Sequence, residues 1–265
     1  MTRRCPTVAD LKADKGKGQK TMLRYVTLDE AAAAEAAGID IASVPPDLVT
    51  DPRYRQAAPG IFSMTGKAHP EAGTPDDYLR FCGQMLQAGA DALYCSGSLQ
   101  TVEYLAREYV PVVGHVGLVP SRATFTGGFR AVGKSADQAI ALFHDCRRLQ
   151  EAGAFAVEIE VVPVEVATAI SARLDILLWS MGAGPACDAQ YLFAEDILGT
   201  NRSRLPRHAK AYRNFAAEYD RLQAERIAAF TEFRADVDCG AFPEAAHVVT
   251  MDPREHDAFL KGIAG

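Results

Sequence analysis

The sequence has no run of apolar residues near the roughly 20 that a membrane-spanning helix needs. Its basic opening, MTRRCPTVADLK, is not followed by the apolar segment of a secretory leader. Both absences lead us to expect a cytoplasmic chain without membrane contact. Positive charge is scarce: 28 Lys and Arg stand against 34 Asp and Glu, a formal net charge of −6. The one basic cluster, KADKGKGQK at 12–20, is too short for a nucleic-acid footprint, so the expected partner is a small molecule. The six cysteines (Cys5, Cys82, Cys95, Cys146, Cys187, Cys239) form no C-x-x-C pair and have no histidines at zinc-finger spacing. Reduced thiols, most of them buried, are therefore expected rather than disulfides or structural zinc. No Pro-, Gly- or Ser-rich linker divides the chain. What is present is ordinary globular composition, 48% hydrophobic and 23% charged over 265 residues, enough for a single large α/β domain.

One local pattern recurs in EAAGIDIASV (35–44), LQAGADALYC (86–95) and LQEAGAFAVEIE (149–160). Each reads as the end of an amphipathic helix, a glycine able to take the left-handed cap, and a short apolar strand. Further strands are predicted at 21–25, 60–64, 110–118 and 175–181, with a weak eighth near 207–211. Strands alternating with helices through short connections imply a right-handed parallel fold, and this number of strands favours a (β/α)8 barrel over an open sheet. We expect one domain over 1–265, in which 212–265 is a helical extension with a long helix at 212–237 that packs on the barrel or on a neighbouring subunit.

The stretch GGFRAVGKS (127–135) fits the phosphate-loop pattern G-x-x-x-x-G-K-[ST]. Its context does not: the preceding PSRATFT is polar where a phosphate loop follows an apolar strand. Ser135 and Gln138 read instead as a capping pair that opens the next helix. ATP hydrolysis is set aside, and whether Lys134 meets any phosphate stays open.

The loop belongs to a longer run, GHVGLVPSRATFTGGFRAVGKS (114–135), that resembles the ketopantoate hydroxymethyltransferase family pattern GHIGLTPQ…GGYRVQG. TVADLKADKGKGQKTML (7–23) is similar to the family's opening. EAGAFAVEIEVVPVEVA (151–167) resembles its EAGAFAIVLECVPAELA, GAGPACDAQYLFAEDILG (182–199) its GAGPDCDGQVLVLHDLLG, and GAFPEAAHV (240–248) its GxFPxxEHS. The resemblance spans nearly the whole chain. It implies a TIM barrel of the phosphoenolpyruvate mutase/isocitrate lyase-like type with a long C-terminal helix, assembled into homo-oligomers. It also implies enolate chemistry on 3-methyl-2-oxobutanoate, with a one-carbon unit from methylenetetrahydrofolate as cosubstrate. Magnesium would act as Lewis acid and a glutamate as base. By this match Glu160 is the glutamate, at the end of the sixth predicted strand, and His115 is the family's histidine at the end of the fifth. Apolar flanks would raise the Glu160 pKa toward neutrality; the competing reading is a salt-bridged core carboxylate. His115 reads equally as a core histidine.

The departures fall on the metal site. The family's V-G-D-S-L lies on VPPDL (44–48), V-A-D-M-P-F on FSMTGK (62–67) and V-K-L-E-G-G on LYCSGS (93–98). Pro46, Met64 and Ser96 therefore stand where the resemblance puts carboxylates, and Tyr94 where it puts a substrate-binding lysine. Magnesium prefers oxygen ligands, which leaves Asp47 as the one displaced metal candidate. Tyr94, Cys95 and Ser96, together with Ser180 at a family glycine, are candidate substrate-binding residues. So are Asp47 and Arg24, the latter a cation at the end of the first strand that could pair a substrate carboxylate or merely make a surface ion pair. His69 reads as a solvent-exposed loop residue. Trp179 and Met181 are expected to narrow the pocket. The expected function is carbon–carbon chemistry beside a carbonyl, on a changed substrate or without the metal. The alternatives are a non-catalytic metabolite- or partner-binding barrel and the family's own magnesium-dependent reaction.

Overall fold

The computed structural model describes residues 3–67, 71 and 73–264, so His69 lies outside the described residues. Contacts divide the chain into two units, residues 1–213 and 214–265. The first holds eight strands: β1 (Lys20–Arg24), β2 (Ile41–Ser43), β3 (Phe62–Lys67), β4 (Ala92–Cys95), β5 (Val112–Gly117), β6 (Ala156–Glu160), β7 (Leu177–Met181) and β8 (Ala189–Phe193). They close in chain order into a barrel in which every neighbouring pair is parallel, β8 returning to β1. The eighth strand is 189–193, not 207–211, which runs through turns. The physical reason is composition: alternate residues of AQYLF, Ala189, Tyr191 and Phe193, pack inside the barrel, whereas RHAKA is cationic and offers no apolar face.

Local chemistry starts the helices as expected. Thr27 accepts a hydrogen bond from the Glu30 N–H while the Glu30 carboxylate accepts from the Thr27 N–H, and Thr74 and Asp77 form the same box. Gly38 closes the helix Leu28–Ala37 at φ +79°. Ser135 caps the helix Ala136–Glu151, its hydroxyl accepting from the Gln138 N–H at 3.3 Å. The Gln138 side chain in turn accepts from the Gly133 and Lys134 N–H groups at 3.3 and 3.2 Å. The amides that would cradle phosphates in a phosphate loop are thus engaged by a side chain of the following helix.

Strand alternation sorts the core into two layers. Outward positions such as Leu93, Cys95, Val157, Ile159 and Leu178 pack against the helices. Inward positions such as Met22, Ile41, Phe62, Met64, Val113 and Trp179 fill the barrel. In the second unit the helix Phe215–Cys239 is capped by Asn214 and the helix Pro253–Gly262 by Asp252. The longer one leaves Tyr219, Ile227, Phe230 and Phe233 exposed.

Candidate active site

On β6 the alternation that turns Val157 and Ile159 outward turns both Glu158 and Glu160 inward, and both are buried, at 5% and 8% exposure. On β5, His115 stands beside Glu158 in the register and Gly117 beside Glu160. Glycine is required at 117: its φ is +84°, and a Cβ there would meet the Glu160 carbonyl oxygen at 2.2 Å. The two strands therefore close tightly under Glu160, which lies at the carboxyl end of its strand, the catalytic face of this architecture.

His115 joins the group. Its Nε2 lies 3.2 Å from a Glu160 carboxylate oxygen and its Nδ1 lies 3.6 Å from Glu158. Tyr94, inward on β4, shares a hydrogen bond of 2.8 Å with Nδ1. If the Tyr94 hydroxyl donates to Nδ1, the imidazole proton sits on Nε2 and faces Glu160. Nε2 has no hydrogen-bond partner of good geometry. It is a buried polar atom next to the carboxylate. A cavity of about 370 Å³ has His115 on its wall together with Ser96, Gly117 and Arg122, and also the helix-facing Cys95, Leu142 and Leu149; Tyr94, Glu158 and Glu160 are not on its lining.

Burial pushes the Glu158 carboxyl up to about 7; nearby His115 and Arg24 pull the other way, and Glu160 adds to the rise. Burial also raises the Tyr94 and Tyr191 hydroxyls, so both are neutral donors at physiological pH. Arg24 reaches this group from β1, half-buried, its guanidinium 5.8 Å from the Phe193 ring centroid. Immediately after Glu160, Val161 is held at φ +50°, an uncommon conformation for a β-branched residue. Its N–H donates to the Met181 carbonyl at 2.8 Å and its carbonyl accepts from the Val132 N–H at 3.1 Å. These bonds fix the backbone that carries Glu160.

The other expected residues divide. Ser96 is buried with its side chain beside Tyr94, and its carbonyl accepts from Arg122. Trp179 and Met181 face the barrel interior. Cys95 and Ser180 do not. Each neighbours an inward residue on its strand and so points the other way, Cys95 into the helix-facing layer and Ser180 toward the next turn, where it accepts from the Ala183 N–H at 3.0 Å. Burial pushes the Cys95 thiol up, away from the nucleophilic thiolate. Asp47 is exposed in the first turn of the helix Pro46–Thr50, on a surface hollow it shares with Asp29 and Asp51. Met64 is sealed in the barrel at 1% exposure. No set of three His, Cys, Asp or Glu among the described residues is spaced to hold a metal ion.

Glu158 is the residue that sequence reasoning passed over. The signal was present: in a strand, E-x-E puts both carboxylates on one face. The family pattern quoted above, moreover, has valine in its place.

Comparison with known proteins fixes the lineage. Residues 70–245 match the family model of ketopantoate hydroxymethyltransferase. A 3-methyl-2-oxobutanoate hydroxymethyltransferase of Nitratidesulfovibrio vulgaris is 30% identical over 97% of this chain and 89% of its own length. One from Chloroflexus aurantiacus is 39% identical over 71% of this chain and 65% of its own. Among solved structures, oxaloacetate acetylhydrolase superposes with a TM-score of 0.56 at 12% identity, covering 90% of this chain and 98% of that one. Phosphonopyruvate hydrolase gives 0.53 at 13% identity over 97% and 98%; at such identities both speak for the barrel alone. The chain belongs to the ketopantoate hydroxymethyltransferase family, as an enzyme of carbon–carbon bond chemistry.

Proposed function

We propose that the enzyme acts on a small 2-oxo acid or related carbonyl compound, with Glu160 moving the proton on the carbon beside the carbonyl as a carbon–carbon bond is made or broken there. The observation that carries this reading is the approach of the His115 Nε2 to Glu160 at the carboxyl end of β6, 3.2 Å apart and nearly sealed from water. A carboxylate so placed is a suitable base, and an adjacent imidazole N–H is a suitable donor to the oxygen on which enolate charge develops. Arg24 supplies a cation for the substrate carboxylate.

We further propose that the reaction does not use the family's magnesium and that the substrate differs from that of the named relatives. The residues present do not suit the ion. Magnesium takes oxygen ligands in near-octahedral array, whereas Pro46 has no donor, Met64 has a buried thioether and Ser96 a neutral hydroxyl. Asp47 is exposed on a surface hollow with Asp29 and Asp51, and no three such side chains among the described residues are spaced to hold a metal ion. Tyr94 in the place of a lysine alters the charge a substrate meets. Methylenetetrahydrofolate remains the one-carbon donor to test, and the exposed apolar residues of the helix Phe215–Cys239 support a homo-oligomer.

The test is deuterium exchange at the α-carbon of a panel of 2-oxo acids, followed by NMR with magnesium and with EDTA. Exchange that survives EDTA and disappears in Glu160→Gln is the expected result. Exchange abolished by EDTA overturns metal independence, and exchange unaffected by Glu160→Gln overturns the assignment of the base.

A further inference from the structure

A second cavity, of about 580 Å³, lies at the carboxyl ends of β6, β7 and β8. It exists because residues 182–188, which join β7 to β8, form no helix, so the outward side chains of β8 lack the usual cover. Its lining includes three basic side chains, Lys134, Arg207 and His208, and no aspartate or glutamate. In a protein with net charge −6 that local balance is a selective feature. The three come from distant parts of the chain: Lys134 from the loop after β5, Arg207 and His208 from the segment after β8. The rest of the lining is largely apolar, with Val161, Pro163 and Leu192 among it.

Two details show that the basic cluster is built into the fold. Gly182 sits at φ +72°, and a Cβ there would come within 2.8 Å of the His208 Cβ and 3.1 Å of its ring, so the glycine makes room for the imidazole. The loop carrying Lys134 is tied down by Gln138 and by the hydrogen bond from Val132 to Val161, which leaves the Lys134 side chain as its free, exposed part. The helix Val164–Ser171 also starts at this cavity with no side chain capping its first N–H groups. Glu165 in that first turn is not on the lining. An uncapped helix start adds a partial positive charge to the same place.

We propose that this cavity is an oxyanion subsite, in which Lys134, Arg207 and His208 hold a phosphate or carboxylate group of an organic ligand whose apolar body lies on Val161, Pro163 and Leu192. Arginine supplies a planar fork for such a group and lysine a point charge. Because Val161 directly follows Glu160, the ligand borders the backbone of the proposed base. The subsite does not depend on which proton Glu160 moves.

The experiment is titration of the full chain with inorganic phosphate and, separately, with malonate at constant ionic strength, read by calorimetry. Variants are Lys134→Gln, Arg207→Gln and, as a control off the lining, Lys210→Gln. The expected result is saturable binding that weakens roughly fivefold to tenfold in each of the first two variants, is unchanged in the third, and falls as salt rises. Tighter phosphate identifies a phosphoryl ligand; tighter malonate identifies a carboxylate. Glu160→Gln should bind the anion as the parent does while losing exchange, so the two readings fail separately. No saturable binding, or equal weakening in all three lysine and arginine variants, overturns the subsite.

Discussion

The inside of the barrel has two unlike sides. On β1 to β3 the inward side chains are Met22, Ile41, Phe62 and Met64, apolar up to the mouth, where Arg24 and Ser43 stand. On β4 to β6 they include Tyr94, His115, Glu158 and Glu160. The family resemblance puts two metal-binding carboxylates on the first side, at Pro46 and Met64, and here the carboxylates buried inside the barrel are on the second. The contrast teaches how the site works electrically. Apolar walls keep the dielectric low, so the imidazole and two carboxylates on the other side act on one another strongly and answer to few outside charges.

The largest expected effect comes from Glu160→Gln, which keeps the shape and removes the base; exchange at the α-carbon should slow by about 100-fold to 10,000-fold. Next, Met64→Asp would put a carboxylate back on the apolar side. Without partners there, it should lower unfolding free energy by roughly 3 kcal/mol, measured by urea denaturation, and added magnesium should not recover it. A full recovery by magnesium would show that the lost site can be rebuilt from one ligand.

Glu158→Gln sharpens the comparison through pH. The folded carboxyl titrates at about 7 rather than its ordinary 4.5, so the folded state holds this proton more tightly than the unfolded one. That contribution is fully present below pH 4.5 and is lost as pH rises through about 7. The parent protein should therefore lose stability relative to Glu158→Gln across that window, by an amount on the order of 3 kcal/mol. Equal pH dependence in the two proteins would place the charge elsewhere. The smallest effect belongs to Cys95→Ala: it should cost about 1 kcal/mol of stability and leave exchange within about twofold, because the thiol faces the helices.

Part of this was legible from the chain alone. The helix–glycine–strand junctions announced the barrel, since a left-handed glycine cap and a short apolar run are local features. Capping pairs at Thr27, Thr74 and Ser135 could be read for the same reason. The choice of β8 could not, because five residues of AQYLF become a strand only by pairing with β1 on one side and β7 on the other. Nor could the parting of Tyr94 from Cys95, since neighbours on a strand face opposite ways: Cys95 and Ser96 line the cavity of about 370 Å³, while Tyr94 turns to His115. The same rule, applied to EIE, would have brought Glu158 beside Glu160.

By itself, then, the sequence determined the alternation of elements, the lineage and the identity of Glu160 and His115 as candidates, because short-range propensity and motif spacing carry those. Only the tertiary structure decided which carboxylate is pushed toward neutrality, which nitrogen of His115 meets which partner, and that Lys134, Arg207 and His208 share one cavity. Burial and charge proximity are sums over atoms distant in the chain. Closing the barrel fixes those sums.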